Sequence, residues 1–264
     1  MYKWSIDNYV NFWEEFWHFS NIIYSKSYDQ VLDKVNKPMD NFPFNWFSGA
    51  LMNYSENLLN RNDSNVAVYS FGEAFKEVRT ISFSDLRERV RKYQIALKNA
   101  GIQKGDRVVG YLPNVIEALE AKLAVISLGA VWSCASPDFG SASVIDRFQQ
   151  IQPKIIFSVT SVIYNGKKHD HISKLVEVVN AIESIERCVI IPFHDNHSDQ
   201  IEKIPKHVKL DDFLTLNDED SKRDGVRFGS SDIYNAIECM EEIDDSLCVG
   251  QKNPNNTEEE RVIL

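Results

Sequence analysis

The 264 residues are 43% hydrophobic and 26% charged, the balance of a soluble globular protein, and suffice for one large domain or two unequal ones. A net charge of −10, from 39 acidic and 29 basic residues, argues against nucleic acid as a partner, since phosphate binding needs basic patches. No apolar run reaches membrane-spanning length, and the N-terminal MYKWSIDNYVNFWEEFW lacks the basic-then-apolar order of a secretory signal, so neither a membrane span nor export is expected. Cys134, Cys188, Cys239 and Cys248 lie far apart and read as reduced thiols of a cytosolic, cytoplasmic protein. The charge is uneven: residues 211–264 hold 15 acidic and 5 basic residues, and residues 1–210 hold 24 of each.

Taken in order, residues 4–24 place Trp4, Phe12, Trp13, Phe16, Trp17 and Phe19 at roughly helical spacing. This predicts a helix whose aromatic stripe packs onto the main body. A membrane-surface helix is the sharper alternative, and the polar face has no Lys/Arg cluster for it. Residues 37–62 read as an ordered loop and a short helix. Two strands, 66–71 and 77–83, are joined by a turn around Gly72. Ser82 and Asp85 form a capping-box pattern, with Leu86, Val90, Tyr93, Leu97 and Ala100 on one helical face and Gly101 as the stop.

Residues 107–112 form a buried strand ending at Pro113. Asn114 is the expected cap of the next helix, with Glu117 three residues on, and Gly129 ends it. Strand 130–135 precedes the turn SPDFG and a helix through Gln150. Pro153 introduces strand 154–159, then come a helix over 172–182 and a strand over 187–192. Strand and helix alternate with short turns, which implies right-handed crossovers and a doubly wound, mainly parallel α/β sheet covered on both faces. Ligands of such sheets bind beyond the carboxyl ends of the strands, so the loops after Leu112, Ala135 and Val159 are the expected site walls. The stretch 211–224 (DDFLTLNDEDSKRD) is acidic and reads as a linker. Beyond it come a Gly-bounded turn, a helix led by Ser230 or Ser231, and a strand.

No GxxxxGK[ST] loop and no GxGxxG occurs. The pairs His169/His171 and His194/His197 lack neighbours at zinc-ligand spacing and read as solvated loop histidines, not a metal site. In SPDFGSASVIDRF, Asp138 and Gly140 lead a helix carrying Asp146 and Arg147, which an N-cap turn and a surface ion pair would account for. In YNGKKHD two lysines sit in an exposed turn after a parallel strand: either a solvated loop or a cationic grip on a phosphate-bearing ligand.

The blocks FNWFSGALMNYSENLL (residues 44–59), GDRVVGYLPN, LGAVWSCASPDFG, DRFQQIQPKIIF and YNGKKHD, in this order, resemble the acetoacetyl-CoA synthetases, a branch of the adenylate-forming acyl-CoA synthetase superfamily. The resemblance runs to about residue 192. It implies a two-step ligase acting on acetoacetate, ATP and CoA, with Mg2+ neutralising the phosphates and a small C-terminal domain that swings between half-reactions. It places Tyr164, Lys167 and Lys168 at the nucleotide end of CoA, and Gly225 and Arg227 in the motif after the hinge, where the glycine lets pantetheine pass and the arginine faces phosphate. No catalytic residue and no metal ligand is carried over.

The family's phosphate loop, resembling YSSGTTGxPK, is expected shortly after residue 215 and does not occur. GVRFGSSDIYNAIE and DSLCVGQ resemble the start of the small C-terminal domain instead. The resulting expectation is an N-terminal helical extension (1–36), an incomplete α/β domain (37–210), an acidic linker (211–224) and a truncated C-terminal unit (225–264). A splice form, a degenerate gene or a faulty gene model would each give that arrangement. Three functions follow: a ligase by descent that is inactive as this polypeptide, a non-catalytic CoA-binding protein that associates with a full-length relative, or a fragment without function.

Overall fold

In this computed structural model the described residues are 1–33, 45–193 and 200–215, together with the backbone of 249–253 and 256–263. The chain divides into two compact units, Met1–Asn57 with Val226–Leu264, and Leu58–Gly225.

In the first unit the aromatic N-terminus forms two helices, α1 (Tyr2–Asp7) and α2 (Tyr9–Phe19), because Asn8 leaves helical geometry at φ −128° and ψ 46°. Of the aromatic stripe Trp17 is buried, against Tyr24, Tyr28 and Phe47, with ring centroids 4.6–5.6 Å away. Phe12 meets Trp4, Trp13 and Phe16 edge-on or stacked, so the other rings pack largely on each other and keep exposed edges. Strand β1 (Gln30–Leu32) pairs antiparallel with β2 (Trp46–Ser48). Helix α3 (Tyr54–Leu58) starts at Asn53, whose carbonyl Oδ1 accepts from Ser55 N at 2.9 Å.

The second unit opens with an antiparallel pair, β3 (Val66–Ser70) and β4 (Arg79–Ser82). Ser82 then caps α4 (Phe83–Asn99), accepting from Asp85 N at 3.0 Å, and Gly101 ends it at φ +83°. There follow β5 (Arg107–Tyr111), α5 (Ile116–Ser127), β6 (Val131–Ala135), α6 (Ser141–Gln149) and β7 (Ile155–Ser158). After a hairpin of β8 (Ser161–Tyr164) and β9 (Lys167–Asp170) come α7 (Ile172–Ala181), β10 (Arg187–Ile190), a 3-10 turn (Ile201–Lys203), β11 (His207–Lys209) and α8 (Leu210–Thr215). The remaining strands, β12 (Val249–Asn253) and β13 (Asn256–Ile263), form an antiparallel hairpin grouped with the first unit.

Five strands form one parallel sheet in the order β11-β10-β7-β5-β6. Helices α6 and α7 cover one face over Val109, Tyr111, Ile156, Cys188 and Ile190. On the other face Phe157 meets Tyr93 of α4, Trp132 of β6 and Phe213 of α8 at 5.9–6.2 Å. The sheet is therefore the doubly wound α/β arrangement that the alternating pattern predicts. Gly110 is required on that second face: a Cβ there would stand 2.8 Å from the Trp132 ring.

Two local expectations need correction. Asn114 does not cap α5; the cap position is Val115, and no side chain bonds the helix end. Val115 and Ile116 are both buried, so apolar burial sets the helix entry. Glu117 turns away to take Arg79 in an ion pair, with Nη2–Oε1 at 2.5 Å. The acidic stretch also begins as structure rather than linker. Asp211 and Asp212 occupy the first turn of α8, where the helix dipole favours them, while Leu210 and Phe213, one turn apart, are buried.

Candidate ligand crevice

In chain order the parallel strands run 2-1-3-4-5 across the sheet, and the order reverses at β5, between β6 and β7. Such a reversal sends the flanking connections to opposite faces and leaves a crevice at the carboxyl ends. Here those ends are in register: Tyr111 lies opposite both Ala135 and Ser158. The three loops expected as site walls therefore start side by side.

Tyr111 organises the crevice floor. It is fully buried, its hydroxyl donates to the Phe139 carbonyl at 2.5 Å, and its own carbonyl accepts from Ser158 Oγ at 2.6 Å. Burial, with Asp138 and Glu177 nearby, pushes its phenol up to about 12, so it remains a donor at any physiological pH. The 136–140 turn is held further by Lys174 Nζ on the Pro137 carbonyl at 3.1 Å and by Ser136 Oγ on Asp138 at 3.0 Å. Arg147 lies 4.5 Å over the Phe139 ring and not against Asp146, since successive helix residues do not face each other. The expected surface ion pair of this motif is thus a cation–π contact.

The YNGKKHD segment is a β-hairpin, not a solvated loop. Asn165 and Gly166 both have positive φ, +51° and +69°, the geometry of the tight turn that asparagine–glycine favours. Gly166 N also donates to Glu73 Oε2 at 2.6 Å, tying the hairpin tip to the β3–β4 connection. Tyr164 pairs with Lys167 across the hairpin and shares that face with Val162 and His169; Lys168 is opposite Ile163 on the other face. Tyr164, Lys167 and Lys168 are all exposed, so the structure brings the three predicted residues into one accessible element but divides the lysines between its faces. Gly225 and Arg227 lie outside the described residues, as do His194 and His197.

His171 is a correction. It was expected in a solvated loop and is 1% exposed, with its ring 4.3 Å from that of Tyr111. Its place at the head of an amphipathic run was the available signal: it is the residue before α7, whose Ile172, Leu175, Val178 and Val179 face the core. Among the described residues no group of three or more His, Cys, Asp or Glu could hold a metal ion, and no helix is long and apolar enough to cross a membrane.

Comparison with known proteins gives two family matches: "AMP-binding enzyme" over residues 56–233, and "Acetyl-coenzyme A synthetase N-terminus" over residues 1–58. The chain is 46% identical over 222 residues to an acetoacetyl-CoA synthetase of Gallus gallus, covering 83% of this chain and 33% of that protein. It is 48% identical over 216 residues to that of Mus musculus, covering 81% and 32%. A malonamoyl-CoA synthetase of Penicillium aethiopicum is 40% identical over 197 residues, covering 72% and 27%. Among solved structures, acetoacetyl-CoA synthetase from Streptomyces lividans superposes with a TM-score of 0.71 at 30% identity, covering 81% of this chain and 32% of that one. The chain thus spans about a third of the length of the curated relatives it matches.

Proposed function

We propose, from the premise that this chain belongs to the AMP-binding enzyme family, that its function is that of an acid–thiol ligase acting on acetoacetate. The observation that carries this reading is the 46–48% identity to acetoacetyl-CoA synthetases over 81–83% of this chain. In the overall reaction the acetoacetate carboxylate attacks the α-phosphate of ATP and expels pyrophosphate. The CoA thiol then displaces AMP, giving acetoacetyl-CoA. The place of action is the cytoplasm.

Within that scheme the residues described above are a binding frame. Tyr164 offers a ring face and Lys167 and Lys168 offer cations to the nucleotide end of CoA, beside a crevice whose floor and turn are fixed before any ligand arrives. Gly225 and Arg227 complete the set by family correspondence. No described cluster fits Mg2+, so no step is assigned to a metal held by these residues.

The 264-residue polypeptide by itself is proposed not to adenylate. Its sequence carries no Ser/Thr/Gly-rich phosphate loop, and the loss of even one donor to a developing charge costs about 10²–10³ in rate. Two measurements on the purified polypeptide test the reading. Titration calorimetry with CoA is expected to give heat that falls at least tenfold in affinity for Lys167→Ala/Lys168→Ala; an unchanged affinity removes the hairpin from the site. Exchange of pyrophosphate into ATP with acetoacetate and Mg2+ is expected to be absent; exchange above background overturns the inactive reading and restores the full ligase.

A further inference from the structure

We infer that His171 is a positioning residue that couples the base of the β8–β9 hairpin to the 136–140 turn through Tyr111, so that the two walls of the crevice move as one. Three contacts form the coupling. The backbone N–H of His171 donates to the Thr160 carbonyl at 2.9 Å, which closes the hairpin where Ser161 pairs with Asp170. The imidazole then stands edge-on to the Tyr111 ring, 4.3 Å between centroids at 63°. The Tyr111 hydroxyl finally holds the Phe139 carbonyl. Residues 139 and 171 are thus joined across the switch point by one buried side chain.

The second observation is that Nε2 of His171 is buried with no hydrogen-bond partner among the described residues. A purely space-filling position would be served by an apolar ring without that cost. The orphan nitrogen gives the coupling a proton dependence. The charged groups facing the ring are Asp170 on its own segment and Lys174 on α7, while Asp138 and Glu177 act on Tyr111. Burial and then Lys174 lower the imidazole to about 4, against a weaker opposite pull from Asp170.

An imidazole freed by local opening regains a value of about 6.5. The closed state is therefore fully favoured above about pH 6.5, and opening gains up to tenfold per pH unit from there down to about pH 4.

Amide hydrogen exchange on the ligand-free protein tests this between pH 7 and pH 4.5, read at Phe139 and Val144 on the turn side and at β8 and β9 on the hairpin side. In the wild type, protection on both sides is expected to fall together, by up to tenfold per pH unit below 6.5. His171→Phe keeps a ring against Tyr111 without a titrating group and is expected to hold both sides level across that range. His171→Ala is expected to lower both sides at least tenfold at pH 7. Tyr111→Phe is expected to loosen the turn alone, leaving the hairpin within twofold. The inference is overturned if His171→Phe retains the wild-type pH dependence, or if His171→Ala loosens only the hairpin. Should His171→Ala not fold, the Phe variants at 171 and 111 decide the matter. The inference leans on the proposed function only in treating the two walls as parts of a ligand site. A silent CoA titration would remove that function and leave these exchange values unaffected.

Discussion

Helices α4 and α5 are joined by an ion pair whose two ends have unequal access to water, and that inequality predicts an asymmetric response to mutation. Arg89 grips Glu120 with two parallel bonds, Nε–Oε1 at 2.9 Å and Nη2–Oε2 at 3.0 Å. The Glu120 side chain is 1% exposed and that of Arg89 41%. Replacing Arg89 by Met leaves a carboxylate stranded in the interior, a defect that costs about 3–5 kcal/mol in buried pairs. Replacing Glu120 by Gln leaves a half-exposed guanidinium that water still reaches, so the cost is about 1 kcal/mol. Removing both charges, as Arg89→Met/Glu120→Leu, is expected to recover most of the larger loss. Urea unfolding followed by far-UV circular dichroism reads these differences directly, and at roughly 2–4 °C per kcal/mol the Arg89 variant should melt about 10 °C below the wild type. If Arg89→Met costs no more than Glu120→Gln, or if the double variant is no better than Arg89→Met, the burial argument is wrong.

Two further outcomes follow from single contacts. Gly110→Ala drives a methyl to 2.8 Å from the Trp132 ring and 2.9 Å from Leu112 Cδ2, which should cost about 1–3 kcal/mol in urea unfolding; an unchanged midpoint would mean that the β5–β6 face is looser than the structure shows. Burial pushes the Asp106 carboxyl up, but the Lys154 ammonium at 2.8 Å and the Gln103 N–H at 2.9 Å outweigh it and hold the group below its usual range. A depressed carboxyl contributes stability above its unfolded value of about 3.9 and loses it as pH falls through the lower folded value. The stability gap between wild type and Asp106→Asn should accordingly be level at neutral pH and close below about pH 4; a gap that widens in acid would contradict the pairing.

What could be read from sequence was local. Ser82 bonding Asp85 N, and Gly101 and Gly129 at positive φ, are features whose cause lies within four residues, and they sit where the pattern predicts. The Asn114 cap failed for the opposite reason: the partner that draws Glu117 away is Arg79, 38 residues earlier. Two signals were present in the sequence but outweighed. Asn165–Gly166 between two short runs specifies a hairpin, yet the polar YNGKKHD reads as a loop when composition is weighed before turn chemistry. Leu210 and Phe213 mark a helix inside an acidic stretch whose charge suggests a linker.

The crevice itself belongs to a third class, because strand order has no local cause. Nothing within residues 105–170 says that β7 returns to the far side of β5, and that return is what sets Ala135 and Ser158 on either side of Tyr111. Once the order is known, the histidines separate by position. His169, three residues beyond the turn's Gly166, is exposed, while His171 enters the core beside the central strand, so spacing that treats them as a pair of solvated histidines is right for the first and wrong for the second. A strand order reversing at β5 forces the hairpin base over Tyr111. Any residue at position 171 must then either pack against that ring or push the hairpin away from it, which is why its side chain bears on the crevice without lining it.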